Sequence, residues 1–464
     1  MNSTAKHTAN DAHKRIKDGL IDIYLNNLDL IEEHSSPLQN HHRQEAIQHF
    51  RRQGIPDPQS EPYRYSRLAP IFDRSYEKYF APKNTSLSAN DIFRCSLPNL
   101  QSQLALTLNG FFHPTDGSKL LTLPNGIMLG SIAQAAATHP QLLEPHYNSL
   151  APNTTDGLVA LNTAMAQDGI FIYVPHGTTM EQPIQIINLL QAGESQMVQL
   201  RNLIVIEDRS QAHILVCNHT LSPAPFLSNT VTEVVAGSNA HIELVNMQNE
   251  HNQSAHISHT HIAAQRGAQV STNTLSLHGG FVRNNLHIAL LGEGAHANAY
   301  GLLLADRQQH IDNSTLIEHA VPSCTSHELY KGVLDDEATG AFCGSIMVRP
   351  DAQRTEAYQS CNNLLLTSRA TMNAKPQLEI YADDVRCSHG ATVGQLNEEA
   401  LFYLRSRGIG EHQAKLMLMF GFAHEVVQHI GIEPLRHRID ELVQLRLNGE
   451  LAHCHSCPIQ HAID

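Results

Sequence analysis

The chain of 464 residues contains no tryptophan, and aromatic residues make up only 5% of it, so it offers few surfaces on which a base or a sugar ring can stack. Charged residues amount to only 16%, and 31 Lys and Arg against 45 Asp and Glu leave a net charge of −14. This balance argues against nucleic acid as a partner, because phosphate contacts need clustered cations. No apolar run approaches the roughly 18 residues of a membrane helix, so we expect no membrane partner.

Several sequence motifs of enzymes are also missing. The order Gly117-Ser118-Lys119 does not match a phosphate-binding loop, no Gly-x-Gly-x-x-Gly opens a helix, and no Gly-x-Ser-x-Gly marks a nucleophile elbow. The first 23 residues lack the apolar core of a secretory signal. We therefore expect a cytoplasmic protein whose eight cysteines are reduced thiols, and we expect this chain to bind no nucleotide.

Histidine, in contrast, is abundant, since the chain contains 31, as many as Lys and Arg together. Two segments that begin with histidine, residues 241–247 and 256–262, come close to the alternation of a β-strand, which places successive side chains on opposite faces. We interpret most of these histidines as polar residues on the outer face of strands. A ladder of metal ligands, as in a histidine-rich metal-binding protein, is the alternative.

The hydrophobic pattern divides the chain into three segments. Residues 1–150 are predicted to be mostly helical, with helices over residues 11–33 and 39–53. Residues 151–396 contain short apolar runs separated by turn residues. Residues 397–464 are helical again: Asn397 is a good N-cap, one helix is predicted from 411 to about 429, and Pro434 suits the first turn of the last helix.

A repeat runs through the middle segment. Small residues open strands after polar turns at steps of 28, 28 and 27 residues, and one later pair is 29 apart: Ala212, Ala240, Ala268 and Ala295, then Ala341 and Ala370. A period of this length built from short strands is typical of a β-solenoid. We predict a mainly β fold, a right-handed parallel β-helix between helical N-terminal and C-terminal regions.

The strongest chemical cluster lies at the end of this repeat. Residues 378–392 bring together Glu379, Asp383, Asp384, Cys387 and His389. Cys387 and His389 are two apart and would share one face of a strand, roughly 7 Å apart, where a thiolate and an imidazole can ligate iron, zinc or a cluster. Spacing alone favours a simpler interpretation, a core cysteine and a hydrogen-bonded histidine, because two donors are not four ligands. A metal site here would need a partner chain to complete it.

A second candidate metal site lies in the tail. Cys454 and Cys457 have the Cys-x-x-Cys spacing of zinc and redox sites, and His453, His455 and His461 flank them. No second ligand pair follows, so the pattern is weak as a zinc signature.

The sequence resembles the SufD family, the scaffold subunit of the SUF machinery for iron–sulfur cluster assembly, which is paralogous to SufB. The resemblance is dense from about residue 280 to 425 and looser before it. It rests on these blocks: residues 283–288 (Arg-Asn-Asn-Leu-His-Ile), 292–295, 309–312, 330–332, 352–353, 357–359, 363–366, 375–380 (Lys-Pro-Gln-Leu-Glu-Ile), 382–385, 387–396 (Cys-Ser-His-Gly-Ala-Thr-Val-Gly-Gln-Leu) and 402–409.

The resemblance implies a function that the residues alone leave open. It implies a non-catalytic scaffold that forms a heterodimer with a SufB-like paralogue and binds a SufC-like ABC ATPase. It further implies that iron or a nascent cluster, shared with SufB, is handled at the interface by His389, with Cys387 nearby. This implied partner chain overturns the preference for the simpler interpretation of His389. Glu379, Asp383 and Asp384 remain weaker candidates close by.

The same resemblance assigns ATPase docking to the C-terminal helical region. The matching block contains Phe402, Tyr403, Arg405, Arg407, Gly408 and Ile409. A homodimer of the isolated chain stays open. Two other classes of protein remain as alternatives, a cytosolic β-helix carbohydrate-active enzyme and the histidine-rich metal-binding protein. A carbohydrate-active enzyme needs paired carboxylates, and only Asp383 and Asp384 form an adjacent acidic pair near the motif.

Overall fold

Two long β-sheets form the centre of the molecule. The structure, a computed structural model, describes residues 3–78, 80–82, 101–114, 117–154, 156–222 and 224–449. Sheet A contains β1 (Glu77–Lys78), β4 (Leu120–Thr122), β5 (Met128–Ser131), β6 (Ile170–Val174), β8 (Gln196–Ile206), β10 (Phe226–Ala236), β12 (Ala255–Ala264), β14 (Phe281–Leu290), β16 (His310–His319), β18 (Thr339–Val348) and β20 (Thr371–Ile380). Sheet B contains β2 (Gln103–Leu108), β3 (Phe111–Phe112), β7 (Ile184–Leu190), β9 (Gln211–Thr220), β11 (His241–Asn249), β13 (Gln269–His278), β15 (His296–Ala305), β17 (Thr325–Leu334), β19 (Thr355–Leu365) and β21 (Val385–Gly394).

From β6 onward the chain alternates between the two sheets. Even-numbered strands lie in sheet A and odd-numbered strands in sheet B, and neighbouring strands of each sheet are parallel. One even and one odd strand therefore make one coil of a β-solenoid, and each coil stacks on the one before it. The predicted mainly β solenoid with helical ends is confirmed.

The space between the sheets, which we call the lumen, is filled mainly by aliphatic side chains. Because successive residues of a strand point to opposite faces, every second side chain points into it. Ile214, Ile242, Ile262 and Ile288 belong to this core, and each is at most 2% exposed. Burying one such side chain stabilises the fold by about 1.5–3 kcal/mol, so the stacked coils supply each other's core.

Helices cover the outer face of each sheet. On the N-terminal side these are α1 (Ser3–Asn26), α2 (Leu28–Glu33), α3 (Pro37–Gln53), a 3₁₀ turn (Glu61–Tyr63), α4 (Ala69–Phe72), α5 (Ile132–Thr138), α6 (Pro140–Leu143) and α7 (Gly157–Met165). Leu158 and Leu161 pack with Leu227 and Ile257 of sheet A. On the C-terminal side, α8 (Glu398–Ser406), α9 (Glu411–Val427) and α10 (Glu433–Leu447) follow the last strand.

The two terminal helices pack on sheet B. Ala423 and Val426 of α9 share a buried cluster with Val245 and Leu275. At the turn after α9, the Gly431 N–H donates to the Glu243 carboxylate at 2.7 Å. The expected starts and stops are confirmed here, because the Asn397 side chain caps α8 and Pro434 lies in the first turn of α10.

Two of the repeat steps that we read from the sequence are wrong. The register partner of Ala212 is Ile242 and not Ala240, so that coil is two residues longer than the predicted step of 28. Ala341 pairs with Asn373, so Ala370 is not its equivalent. The error arises because turns of different length connect the strands, whereas small residues recur in turns for local reasons.

The N-terminal segment is less purely helical than its pattern predicts. The short strands β2 to β5 lie within residues 103–131 and belong to the two sheets. The predicted first helix is interrupted at Asn27, between α1 and α2. The division of the chain at residues 150 and 396 stays a prediction.

Candidate functional site

The last coil of the solenoid has no further coil stacked on it in the described part of the chain. β20 is the last strand of sheet A and β21 the last strand of sheet B, so each pairs with one strand only. Ile380, Tyr381 and Val393 are 38%, 60% and 47% exposed there, although they are apolar or aromatic. We call residues 371–394 the open end.

The backbone of β20 presents an interrupted edge. The Thr371 N–H donates to Ala338 O, and the Tyr381 N–H donates to Val348 O. Because successive residues of a parallel strand direct their backbone groups to opposite sides, the odd-numbered residues of β20 bond β18 and the even-numbered ones face outward. Pro376 is one of the outward residues and has no N–H to donate. Another strand could therefore not continue sheet A without losing a hydrogen bond at its centre.

The backbone of β21 presents a continuous edge. Just before this strand, Asp384 O accepts a hydrogen bond from the Arg354 N–H. The even-numbered residues of β21 therefore face β19, and the odd-numbered residues from Val385 to Val393 face outward with both N–H and C=O. β21 contains no proline, so this edge is a complete template for a further strand.

Cys387 and His389 lie on the lumen face of β21. Their register partners in β19 are Ala357 and Gln359, which are 0% and 4% exposed. Cys387 is half-buried, and burial raises the pKa of its thiol, an effect that a backbone hydrogen bond from Ala357 opposes. His389 is exposed, and its imidazole makes no hydrogen bond or ion pair with any described residue. The predicted sharing of one strand face by this thiol and imidazole is present in the structure.

The nearby carboxylates do not join that face. Glu379 is exposed and lies on the outer side of β20, between the lumen-facing Leu378 and Ile380. Asp383 and Asp384 are exposed in the turn between β20 and β21. The structure thus brings Cys387 and His389 together and places the three acids apart from them.

Below His389 the lumen contains two buried polar side chains that our sequence reasoning did not select. Glu328 of β17 pairs in register with Gln359 of β19, which pairs with His389 of β21. The Gln359 Nε2 donates to the Glu328 carboxylate, and Glu328 is 3% exposed. Burial raises the pKa of Glu328 to about 7, against the opposing effect of this hydrogen bond. Counting back from His389 would find both residues only with the coil lengths of the structure, because the steps of 30 and 31 residues differ.

The first C-terminal helix projects its apolar residues to the solvent. α8 contains no buried residue, and its Phe402 and Tyr403 are 74% and 56% exposed. The Arg407 guanidinium lies 5.2 Å from the centre of the Tyr403 ring, and Arg405 pairs with Glu411 at 3.5 Å. Gly408 adopts a φ of 88°, which lets the chain turn after α8. Ile409 follows in the same turn, before α9 begins at Glu411. The predicted docking residues therefore lie close together, on α8 and the turn after it.

The histidines are distributed among several environments. His256 is buried in the lumen and bonds Glu250 at 3.0 Å, whereas His241 is partly exposed. The interpretation of such histidines as outer-face residues is therefore wrong for His256. Among the described residues, no group of three or more His, Cys, Asp and Glu side chains is arranged to hold a metal ion. Cys454 and Cys457 lie outside the described residues.

Comparisons with known proteins agree with this architecture. Residues 188–422 match the family model described as the SufBD core domain of the SUF system for FeS cluster assembly, and residues 14–186 match the SufBD N-terminal region. The chain belongs to the SufBD family. The resemblance inferred from the residues of the sequence is thereby confirmed, and this member of the SufBD family is an iron–sulfur cluster assembly protein.

Three curated relatives illustrate the range of this SufBD similarity. A Synechocystis protein described as an iron–sulfur cluster assembly SufBD family protein is 32% identical over 75% of this chain and 79% of its own length. The Escherichia coli iron–sulfur cluster assembly protein SufD is 28% identical over 88% of this chain and 92% of its own. The chloroplastic protein ABCI7 of Arabidopsis thaliana is 28% identical over 82% and 80%. None of the described helices is long and apolar enough to cross a membrane.

Proposed function

We propose that this SufBD family member is a non-catalytic scaffold that pairs with a SufB-like paralogue through the open end. The single observation that carries the proposal is the exposed last coil, on which Cys387 and His389 share one face. A strand edge as long as β21 is a liability for a protein that remains alone, because it can pair with any other strand. A partner that adds a strand to β21 and covers Ile380, Tyr381 and Val393 would remove that liability.

The cargo of such an interface would be iron or a nascent cluster, held transiently. Thiolate and imidazole are both ligands of iron in biological clusters, and Cys387 and His389 supply one of each. Two donors fall short of the four that closed metal sites use, so the remaining ligands would come from the partner. The raised pKa of the half-buried Cys387 thiol means that the metal must displace its proton on binding.

We further propose that α8 and the turn after it receive a SufC-like ABC ATPase. Phe402 and Tyr403 are large, exposed and close to Arg405 and Arg407, and aromatic residues with arginine are enriched at the centres of protein interfaces. The sequence contains no phosphate-binding loop, so ATP hydrolysis would belong to the partner. We place this assembly in the cytoplasm.

The first experiment replaces His389 with alanine in the co-expressed complex. His389→Ala should leave the complex intact by size-exclusion chromatography, because the imidazole is exposed and makes no hydrogen bond or ion pair with a described residue. Cluster formation, followed by the visible absorption of the anaerobically purified complex, should be lost. A matched control is His327→Ala, which removes an exposed histidine on the outer face of the same sheet. Normal cluster formation by His389→Ala would refute the assigned role.

The second experiment tests the ATPase site without disturbing the fold. The double substitution of Phe402 and Tyr403 by serine changes a helix that has no buried residue, so the chain should fold normally. Co-purification of the ATPase should fall at least tenfold, while the SufB-like partner stays bound. Leu291→Ser, at an exposed leucine of the solenoid, is the control. Undiminished ATPase binding by the double variant would place the docking site elsewhere.

A further inference from the structure

A polar column runs through the lumen and ends at the open end. In sheet B, the cross-strand neighbours of Gln359 are Glu328 on one side and His389 on the other. Neighbouring strands are about 4.8 Å apart, so side chains in one such column can contact each other directly. The preceding position of the column is Ala299, which is buried and apolar. The polar part of the column therefore begins at Glu328 and ends at His389.

The direction of the Gln359 amide is set by Glu328. Above a pH of about 7 the Glu328 carboxyl is ionised and can only accept hydrogen bonds, so the amide turns its NH₂ group towards it, as in the structure. Its carbonyl oxygen, Oε1, is then left over. This atom is buried and has no hydrogen-bond partner among the described residues. A buried acceptor without a partner costs about 1–3 kcal/mol, so its retention requires an explanation.

The opposite sheet holds the Gln359 side chain in place. Gly344 of β18 faces it across the lumen, and a Cβ atom at this position would overlap the Gln359 amide. The ring of Phe342 closes the same space, since it would also clash with a Cβ at Gly344. If the amide turned over, it would lose its bond to Glu328. Its free oxygen has one side chain next to it in the column on the side away from Glu328, and that is His389.

We propose that Gln359 is a positioning residue for His389: when the exposed His389 ring turns towards the lumen, one imidazole N–H donates to Gln359 Oε1, and the lone pair of the other ring nitrogen stays free for iron. This inference rests on the proposed role of His389. A metal-binding histidine commonly donates its second ring N–H to a fixed acceptor, which selects the tautomer and the orientation of the ring. Glu328 acts one step further away by fixing the amide.

The experiment measures the tautomer of His389 in the full chain, without iron. The protein is labelled with ¹⁵N-histidine in a deuterated background, and the His389 ring signals are assigned by difference from His389→Ala. At a pH where the ring is neutral, we expect one protonated and one unprotonated nitrogen, which is the pattern of a single tautomer. In Gln359→Met, which keeps the volume but removes the acceptor, we expect the averaged signals of an imidazole that exchanges between tautomers.

The control substitution is Gln248→Met, which removes a buried lumen glutamine of β11 that bonds Asn284 and Ser276. It should leave the His389 pattern unchanged. In the assembled complex, Gln359→Met should reduce cluster formation about 10–100-fold, the usual effect of losing such a partner.

The outcomes separate this proposal from the one on which it rests. Averaged signals for His389 in the unchanged chain would overturn the hydrogen bond without any variant, and so would a single tautomer that persists in folded Gln359→Met. If His389→Ala forms clusters normally, the role of His389 fails, and with it the purpose assigned to Gln359. The tautomer measurement would still decide whether the hydrogen bond exists.

Discussion

The middle coils of the solenoid and its last coil contain similar residues, but the middle coils bury them and the last coil exposes them to solvent. In the middle, the Arg201–Glu233 ion pair has side chains that are 0% exposed, and the Glu233 carboxylate also accepts the backbone N–H groups of Asn148 and Leu150. At the end, Arg386 and Glu356 form an ion pair whose side chains are 78% and 45% exposed. Covered coils use polar groups to fix the helices to the sheet. The last coil leaves such polar and apolar groups exposed.

Removing one charge from each pair should affect the stability of the two regions very differently. Glu233→Gln should destabilise the chain by about 3–5 kcal/mol, because it leaves Arg201 buried without a counter-charge. Glu356→Gln, the matched change in the exposed pair that β19 forms with the last coil, should cost less than about 1 kcal/mol, because exposed ion pairs contribute little. The midpoints of denaturant unfolding measure both. Equal losses would mean that the last coil is as integral to the fold as the middle.

The buried carboxylate of Glu328 in the polar column should make the stability of the chain depend on pH. The folded chain holds the pKa of Glu328 at about 7, above its ordinary value of 4.5. Between these two pH values the folded state binds a proton that the unfolded chain has released, so stability falls as the pH rises through this window and then levels off. The shift corresponds to about 3 kcal/mol for a fully buried group.

The measurement must separate the contribution of Glu328 to the pH dependence of stability from that of the buried histidines. Burial lowers the pKa of His219 and of His319 to about 4, so these residues make the fold less stable as the pH falls below about 6.5, the opposite direction. The difference in unfolding free energy between the unchanged chain and Glu328→Gln, recorded from pH 4.5 to 8, removes their contribution. A difference that does not vary with pH would show that Glu328 is not held in an environment that disfavours its charge.

The sequence contains enough to predict the solenoid and the shared face of Cys387 and His389, because alternation along a strand depends on local spacing alone. It does not contain enough to predict the Glu328–Gln359–His389 column. The coil steps at this column are 29, 31 and 30 residues, counted from Ala299. An error of one residue in the count moves a side chain from the lumen to the outer face. The wrong repeat partner predicted for Ala212 shows that variable turn lengths make such counting unreliable.

The smallest predicted effect concerns valine-to-threonine substitutions in a middle coil and in the last coil. It tests whether a lumen-facing side chain of the last coil contributes to the stability of the isolated chain. Val393 and Val270 both occupy lumen-facing positions of sheet B, but Val393 is 47% exposed and Val270 is 1% exposed. Replacing valine with threonine keeps the shape and adds a hydroxyl group, which costs about 1–3 kcal/mol where it is buried without a partner. Val270→Thr should therefore destabilise the chain by that amount.

Val393→Thr should change the unfolding free energy of the isolated chain by less than about 0.5 kcal/mol, because water still reaches the hydroxyl group. Binding of the SufB-like partner should nevertheless weaken, since a covered open end would bury this position. Titration calorimetry of the two variants against the partner gives that comparison directly. If Val393→Thr bound the partner as tightly as the unchanged chain, the partner would not cover the lumen side of β21, and only the backbone edge of the strand would remain as its contact.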